Sequence, residues 1–435
     1  MRAILVVFVP LAAAVPAALY LLSTPTSIAF IPAPKVIGTD TAIVLRLANP
    51  HGLRRVTAGV EQAGARYVLL DSSEPARRWL FWRRKEAPRE VRLSAGQART
   101  PALREGKAKL FVETQSNDFR AVMDSLAVEV EVVTQPPKLS VDGFQHYLNQ
   151  GGAELVVFTV SGSWTEAGVR VGRHAFRSYP LPGSSKQERF CLFAFPWDEP
   201  AETAPLVFAR NAAGAEVTAG FWLKVFPRRF RSRQLEVDDA FMNKVTAELD
   251  PGGAGGLLAR FLRVNGDLRR ANNRALADLG LKTEERFLWN EPFEQLGNSK
   301  VESQFADRRT YTYQGKKVDD QVHLGFDLSV TRNVAVSAAN SGKVVHAAPL
   351  GIYGNCVVVD HGYGLQSIYA HLSSIEVKEG DLVKKGQPLG RSGSTGLAGG
   401  DHLHFSMQID GVQVNPVEWW DGHWIQDRIR SKVRF

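Results

Sequence analysis

Between residues 42 and 226 apolar and polar positions alternate in short runs with a period of two. AIVLRLA (Ala42 to Ala48), ARYVLLD (Ala65 to Asp71), KLFVETQ (Lys109 to Gln115) and LAVEVEVV (Leu126 to Val133) each carry β-branched or large apolar residues on one face. Turn residues separate these runs, which is the pattern of strands in a small sandwich. Pro136-Pro137 interrupts the series, and ELVVFTV (Glu154 to Val160), FCLFAF (Phe190 to Phe195) and LVFARN (Leu206 to Asn211) begin a second one that ends near Phe226. From Leu235 to Leu281 the spacing lengthens to three and four. Leu258, Phe261 and Leu262, then Leu268, Leu276 and Leu279, predict two helices separated by Gly252 to Gly256, with Gly280 as a stop. Beyond Trp289 the β pattern returns. The expected fold class is therefore mainly β. Two β-sandwich-like domains (24–135 and 136–228) are followed by a helical linker or lid (229–286) and a C-terminal β domain (287–435).

The start of the chain departs from this pattern. Ala3 to Leu22 is an unbroken apolar run, about the 20 residues that a membrane-crossing helix requires. It predicts a signal anchor over residues 1–23, and the Pro-, Ser- and Thr-rich stretch Ser23 to Lys35 reads as a linker. With Arg2 and the amino terminus as the positive flank, the orientation rule keeps them cytoplasmic. The expectation is a single-pass protein of the cell inner membrane, held by its N-terminal helix, with its domains on the periplasmic or extracytoplasmic side.

Composition narrows the class. With 435 residues, 44% of them hydrophobic and 23% charged, the chain is globular and modular, neither fibrous nor disordered. The net charge of +8 suits an anionic partner. Two basic clusters stand out: Arg77, Arg78, Arg83, Arg84 and Lys85 around Trp79, Phe81 and Trp82, and Arg228, Arg229, Arg231 and Arg233. Contact with anionic lipid or wall polymer is one reading of them, and solvated loops are the simpler one. An exported chain rarely meets nucleic acid, so no nucleic-acid partner is expected. Cys191 and Cys356 are the only cysteines. They read as small buried hydrophobes, and a metal site would have to use histidine and carboxylate.

Seven of the ten histidines lie beyond Trp289. In VHLGFDLSV, His323 and Asp327 are four apart in a β-like segment, so both are expected on one face. In HLHF, His402 and His404 share a strand face while Leu403 and Phe405 turn to the core. His371, in IYAHLSS, closes a third segment. Three protein ligands and an open position describe a catalytic zinc, whereas structural zinc is usually closed by four ligands, often cysteines. Zinc lowers the pKa of bound water to about 7, and a neighbouring imidazole can act as base.

From Phe287 to Trp420 these motifs resemble the M23 or LytM-type zinc endopeptidases, including lysostaphin. His323 and Asp327 match the family's HxxxD and His402 and His404 its HxH. YGNCVVVDHGYG (Tyr353 to Gly364), YAHLS (Tyr369 to Ser373), VKEGDLVKKGQPLG (Val377 to Gly390), SGSTGLAGGDHLHF (Ser392 to Phe405) and GVQVNP (Gly411 to Pro416) follow in the family's order. The resemblance implies an antiparallel-β peptidase domain with Zn2+ held by His323, Asp327 and His404. It implies that His371 and His402 activate water and stabilise the oxyanion, and that the glycine-rich loop before HLHF forms a groove wall. Asp401 departs from the family pattern and is expected to tune His402. His361 is expected to be structural; His346, His423, His51, His146 and His174 need no function. The implied activity is hydrolysis of peptide cross-links or stem peptides of bacterial peptidoglycan. The alternative is a non-catalytic regulator or scaffold that partners cell-wall enzymes. The complete ligand set favours the enzyme.

Overall fold

The computed structural model describes residues 14–83 and 85–433. Most of the apolar N-terminal run, residues 3–13, lies outside the described residues, and so does Arg84 of the first basic cluster. Residues 14–22 are helical, and no helix among the described residues is long and apolar enough to cross a membrane.

The chain divides into two compact units, one of Met1–Lys138, Gly162–Thr165 and Arg210–Val217, the other of Leu139–Ser161, Glu166–Ala209 and Thr218–Phe435. In the first, a three-stranded sheet (Ser27–Phe30, Thr41–Ala48, Arg89–Ala95) faces a five-stranded one built on Leu53–Gln62, Gly106–Ser116 and Met123–Val132. The alternation read from the sequence is what fills the space between them. Ile43, Leu45 and Leu47 of one sheet are buried with Val56, Val60, Leu110 and Val112 of the other, the usual construction of a sandwich core. In the second unit Ala153–Ser161 and Glu188–Ala194 pair antiparallel, in a four-stranded sheet beside another that contains Glu166–Val171 and Leu206–Arg210.

The rest of the second unit positions the site. Here β1 is Ser232–Glu236, β2 Lys300–Ser303, β3 Asp307–Tyr313, β4 Lys316–His323, β5 Phe326–Ser329, β6 Gly342–Pro349, β7 Asn355–Gly362, β8 Leu365–Leu372, β9 Leu382–Val383, β10 Leu403–Ile409 and β11 Val412–Val414. An eight-stranded sheet runs β2-β5-β10-β8-β7-β6-β9, with β11 beside β10, while β1, β3 and β4 form a separate three-stranded sheet. β8 and β10 are buried along their whole length, so both faces of the large sheet are covered.

Three helices cover one face: α1 (Asp239–Leu249), α2 (Leu257–Arg263) and α3 (Arg269–Leu279). Asp238 caps α1 by accepting from the Phe241 amide, which satisfies one of the free donors of a helix start. Gly252 adopts φ +73° in the turn between α1 and α2, a conformation glycine takes without strain. A π-helical turn at Val264–Leu268 joins α2 to α3, so the single second helix predicted from the spacing is two. Met242, Val245, Phe261 and Leu276 share one buried cluster with Cys356, Val358, Ile368 and Ala370 of β7 and β8. The helical segment is thus part of the hydrophobic core of the large sheet.

Candidate metal centre

HLHFSMQ alternates along β10. Leu403, Phe405 and Met407 are buried hydrophobes. On the other face, His404 lies opposite Ala370, Ser406 opposite Ile368 and Gln408 opposite Gln366. Ala370 and Ile368 belong to the helix-covered cluster, and Gln408 donates to the Leu276 carbonyl of α3 (2.9 Å). The polar stripe of the sequence therefore lies on the face that carries the helices.

His323 and Asp327 do not share one strand face as their spacing predicted. His323 ends β4 in the small sheet, the chain breaks at Leu324-Gly325, and Asp327 lies in β5, opposite His404 in the large sheet. They converge because the break turns the chain from one sheet into the other. His371 reaches the site by another irregularity. The β7–β8 register shifts between Asn355 and Val357, and His371 has φ +62°, a left-handed conformation uncommon for a non-glycine residue. Such a bulge re-aims a side chain.

His323 Nε2, His404 Nδ1 and Asp327 Oδ1 lie 2.9 to 3.1 Å from one another. Their neighbours fix the tautomers. His323 Nδ1 is 3.1 Å from the Gln304 carbonyl, which can only accept, so the proton is on Nδ1 and Nε2 is bare. Ser406 Oγ donates its one hydrogen to the Leu324 carbonyl (2.7 Å) and must accept from His404 Nε2 (2.9 Å), which leaves His404 Nδ1 bare. Three lone pairs thus face one another with no proton between them. Burial lowers the pKa of His404 to about 4 and also lowers that of His323, so protonation is a poor remedy. A cation removes the repulsion, and two imidazoles with one carboxylate suit a borderline metal such as zinc.

Asp327 is held on its far side. Arg309 Nη2 donates to Oδ2 at 2.7 Å, leaving Oδ1 for the cluster. Burial by itself would raise the pKa of Asp327, but His323 first, then His402 and His404, hold it well below the ordinary range.

His402 and His371 stand beside these three. Each places Nδ1 2.9 Å from a backbone carbonyl, Gly400 for His402 and Thr395 for His371, so Nε2 of His371 is the bare nitrogen of its ring, whereas Nε2 of His402 faces Asp327 and carries a proton when that ring is an imidazolium. His402 Nε2 lies 3.4 Å from Asp327 Oδ1, and the two rings are 4.9 Å apart. Burial, reinforced by His402 and His404, holds His371 neutral well below its usual pKa. His402 is raised because its hydrogen bond to Asp327, and that residue's charge, outweigh burial.

These groups line a cavity of about 280 Å³, whose walls also include Phe241, Arg269 and Asn273 of the helical segment and Leu397–Gly399 of the glycine-rich loop. α1 is tied to that loop. Lys244 Nζ donates to the carbonyls of Ser394 (2.9 Å) and Ala398 (2.8 Å), and the Gly396 amide donates to Glu248 (2.6 Å).

Sequence reasoning missed Arg309, Ser406 and Gly325. A Cβ at Gly325 would lie 2.6 Å from the His404 ring and from Ser406 Oγ, so only glycine fits inside the HLGFD motif. The alternation that exposed His402 and His404 could have identified Ser406; nothing local marks Arg309. No hydrogen bond joins Asp401 to His402 among the described residues. Its carboxylate accepts from Ser392 Oγ (2.6 Å) and the Asn333 amide (3.1 Å), and so braces the groove loop. His361 is fully buried between the Ser341 carbonyl and Ser367 Oγ, a structural position. His346 and His423 stand outside the metal-centre cavity.

Residues 321–416 match the sequence model described as peptidase family M23. The chain is 38% identical over 97 residues to the DD-carboxypeptidase/endopeptidase Mpg of Neisseria meningitidis, covering 22% of each chain. It is 35% identical over 119 residues to the peptidoglycan DD-endopeptidase ShyA of Vibrio cholerae, covering 27% of each. The chain thus spans about a quarter of the length of these relatives. Among solved structures it is similar to the catalytic domain of lysostaphin from Staphylococcus simulans, at 28% identity and a TM-score of 0.22, covering 33% of this chain and 96% of that one.

Proposed function

Residues 321–416 belong to peptidase family M23, and we propose that they form a zinc-dependent endopeptidase that hydrolyses peptide cross-links or stem peptides of bacterial peptidoglycan. The observation that carries this reading is the meeting of three unprotonated ligand atoms, His323 Nε2, Asp327 Oδ1 and His404 Nδ1. Supporting it, relatives similar in this region are named as peptidoglycan endopeptidases.

Zinc held by these three residues would supply a Lewis acid with an open coordination position. The chain supplies the remaining groups. His371, neutral and pinned through Nδ1, offers Nε2 as the base that takes a proton from the attacking water. His402, pinned in the same way beside Asp327, is placed to donate to the carbonyl oxygen as charge develops on it. Arg309 restricts Asp327 to one ligand oxygen, and Ser406 and Gln304 hold the ligand tautomers. The glycine-rich loop lets an extended peptide approach its backbone. In this reading the Ala3 to Leu22 run places the domain outside the cytoplasmic membrane, next to the cell wall.

The test is zinc per chain in the purified protein, measured beside mass analysis of fragments released from purified peptidoglycan. About one zinc and new peptide ends are expected. A chain without stoichiometric metal that releases nothing would return the reading to a non-catalytic scaffold.

A further inference from the structure

The first unit has an edge at which its apolar surface collects. Tyr20, Leu21 and Leu22 at the end of the N-terminal helix are exposed, and so are Trp79, Leu80 and Trp82 in the loop after Ala65–Ser73. In a protein of this kind isolated exposed hydrophobes need no explanation, whereas a cluster does.

These two segments are joined by specific contacts. Leu19 and Ser23 are buried; the Arg120 amide donates to Ser23 Oγ (3.2 Å), the Thr24 amide to Asp118 (3.1 Å), and the Arg120 guanidinium lies 4.5 Å from the Tyr20 ring centroid. His51 Nε2 approaches the Leu22 carbonyl (3.1 Å), and the His51 ring meets Phe81 edge-on at 4.8 Å. On the loop side Trp79 packs on Phe119 (5.7 Å), and the Arg77 amide donates to Asn117 (2.9 Å), whose own amide group donates to the Pro75 carbonyl (3.0 Å). The loops at 49–51 and 117–120 therefore fix the aromatic loop beside the point where the apolar run enters the domain. Arg78, Arg83 and Lys85 flank the exposed rings.

We propose that this edge is a membrane-contact surface, in which Trp79, Leu80 and Trp82 enter the interfacial layer of an anionic bilayer while Arg78, Arg83 and Lys85 meet its headgroups. Tryptophan favours the membrane interface because its ring is apolar with one polar handle. Basic residues near an anionic leaflet strengthen the attraction to its headgroups. The occupant is a bilayer because the surface is continuous with the exposed Tyr20, Leu21 and Leu22, which end the apolar run read from the sequence. A loop fixed there would orient the domain on the membrane, beyond merely tethering it.

The test places a nitroxide on Leu80→Cys in the full chain, reconstituted in vesicles of phosphatidylglycerol with phosphatidylcholine. Cys191 and Cys356 are buried and label poorly. Lys107→Cys is the control, since Gly106–Ser116 runs from the opposite end of the sandwich toward this edge. At residue 80, accessibility to oxygen is expected to rise and accessibility to a water-soluble nickel chelate to fall at least threefold relative to residue 107. Replacing Arg78, Arg83 and Lys85 with glutamine should reverse most of that difference. Equal nickel accessibility at 80 and 107 would overturn the proposal. So would protection of residue 80 on purified wall material but not on vesicles, which would make the surface a wall-binding one.

Discussion

Ser406→Ala tests whether the metal site depends on a fixed imidazole tautomer. In the folded chain the Ser406 hydroxyl donates to Leu324 and accepts from His404 Nε2. Alanine leaves the buried Nε2–H without its acceptor and removes the group that keeps Nδ1 bare. An unsatisfied buried polar group costs about 1–3 kcal/mol, and loss of a partner behind a metal ligand typically weakens binding about 10–100-fold. The two scales agree, since each tenfold is about 1.4 kcal/mol. Zinc affinity is read by competition with a chromophoric chelator at pH 7. The expected result is a 10–100-fold weaker site, with most of the hydrolysis rate restored at saturating zinc. Ser367→Ala is the matched control. That hydroxyl bonds the buried His361 (2.7 Å) and Tyr369 (3.0 Å) away from the cluster, so it should lower Tm without changing zinc affinity. If both variants bind zinc as tightly as the parent, or both lose it equally, the tautomer argument fails.

His404→Ala should lose zinc and activity, whereas His402→Ala and His371→Ala should keep zinc and lose about 100-fold or more in rate; zinc per chain beside rate checks this, and the opposite pattern between 402 and 404 would exchange their roles. Gly325→Ala should abolish zinc binding while circular dichroism stays native, because its Cβ would press on His404 and Ser406. Lys244→Met with Glu248→Met removes the hydrogen bonds from α1 to the Ser394–Ala398 loop. If that tie restricts the groove, kcat/KM on cross-linked peptidoglycan should rise by up to about 100-fold, at about 1 kcal/mol for each of the three bonds released; an unchanged value would leave the helices as a packed cover that does not restrict the groove. Burial raises the Glu418 pKa from 4.5 to about 7. Its folded state therefore holds the proton more tightly than the unfolded state, so this group favours folding below about pH 4.5 and loses that contribution, roughly 3 kcal/mol, as pH rises through 7. Denaturant unfolding at pH 5 and pH 8 should show the decline, and Glu418→Gln should flatten it.

The sequence alone determined the β character of both N-terminal regions, because a half-buried strand writes its burial into every second residue. It determined HLHF in the same way, since one strand carries both histidines on one face. Its reading of HLGFD reached the right residues by the wrong route. His323 and Asp327 belong to different sheets, and the break at Leu324-Gly325 makes them meet. A break has no periodicity to read. The left-handed turn at His371 depends on its pairing with β7, and Arg309 reaches Asp327 from a neighbouring sheet. Both are long-range relations. The helical segment shows the same limit: its apolar spacing predicted helices, but that spacing says only that one face is buried. That the buried face lies on β7 and β8, on the side of the sheet that carries His404, was decided by tertiary packing, because hydrophobic burial is non-directional and any apolar surface of matching shape would have satisfied the pattern.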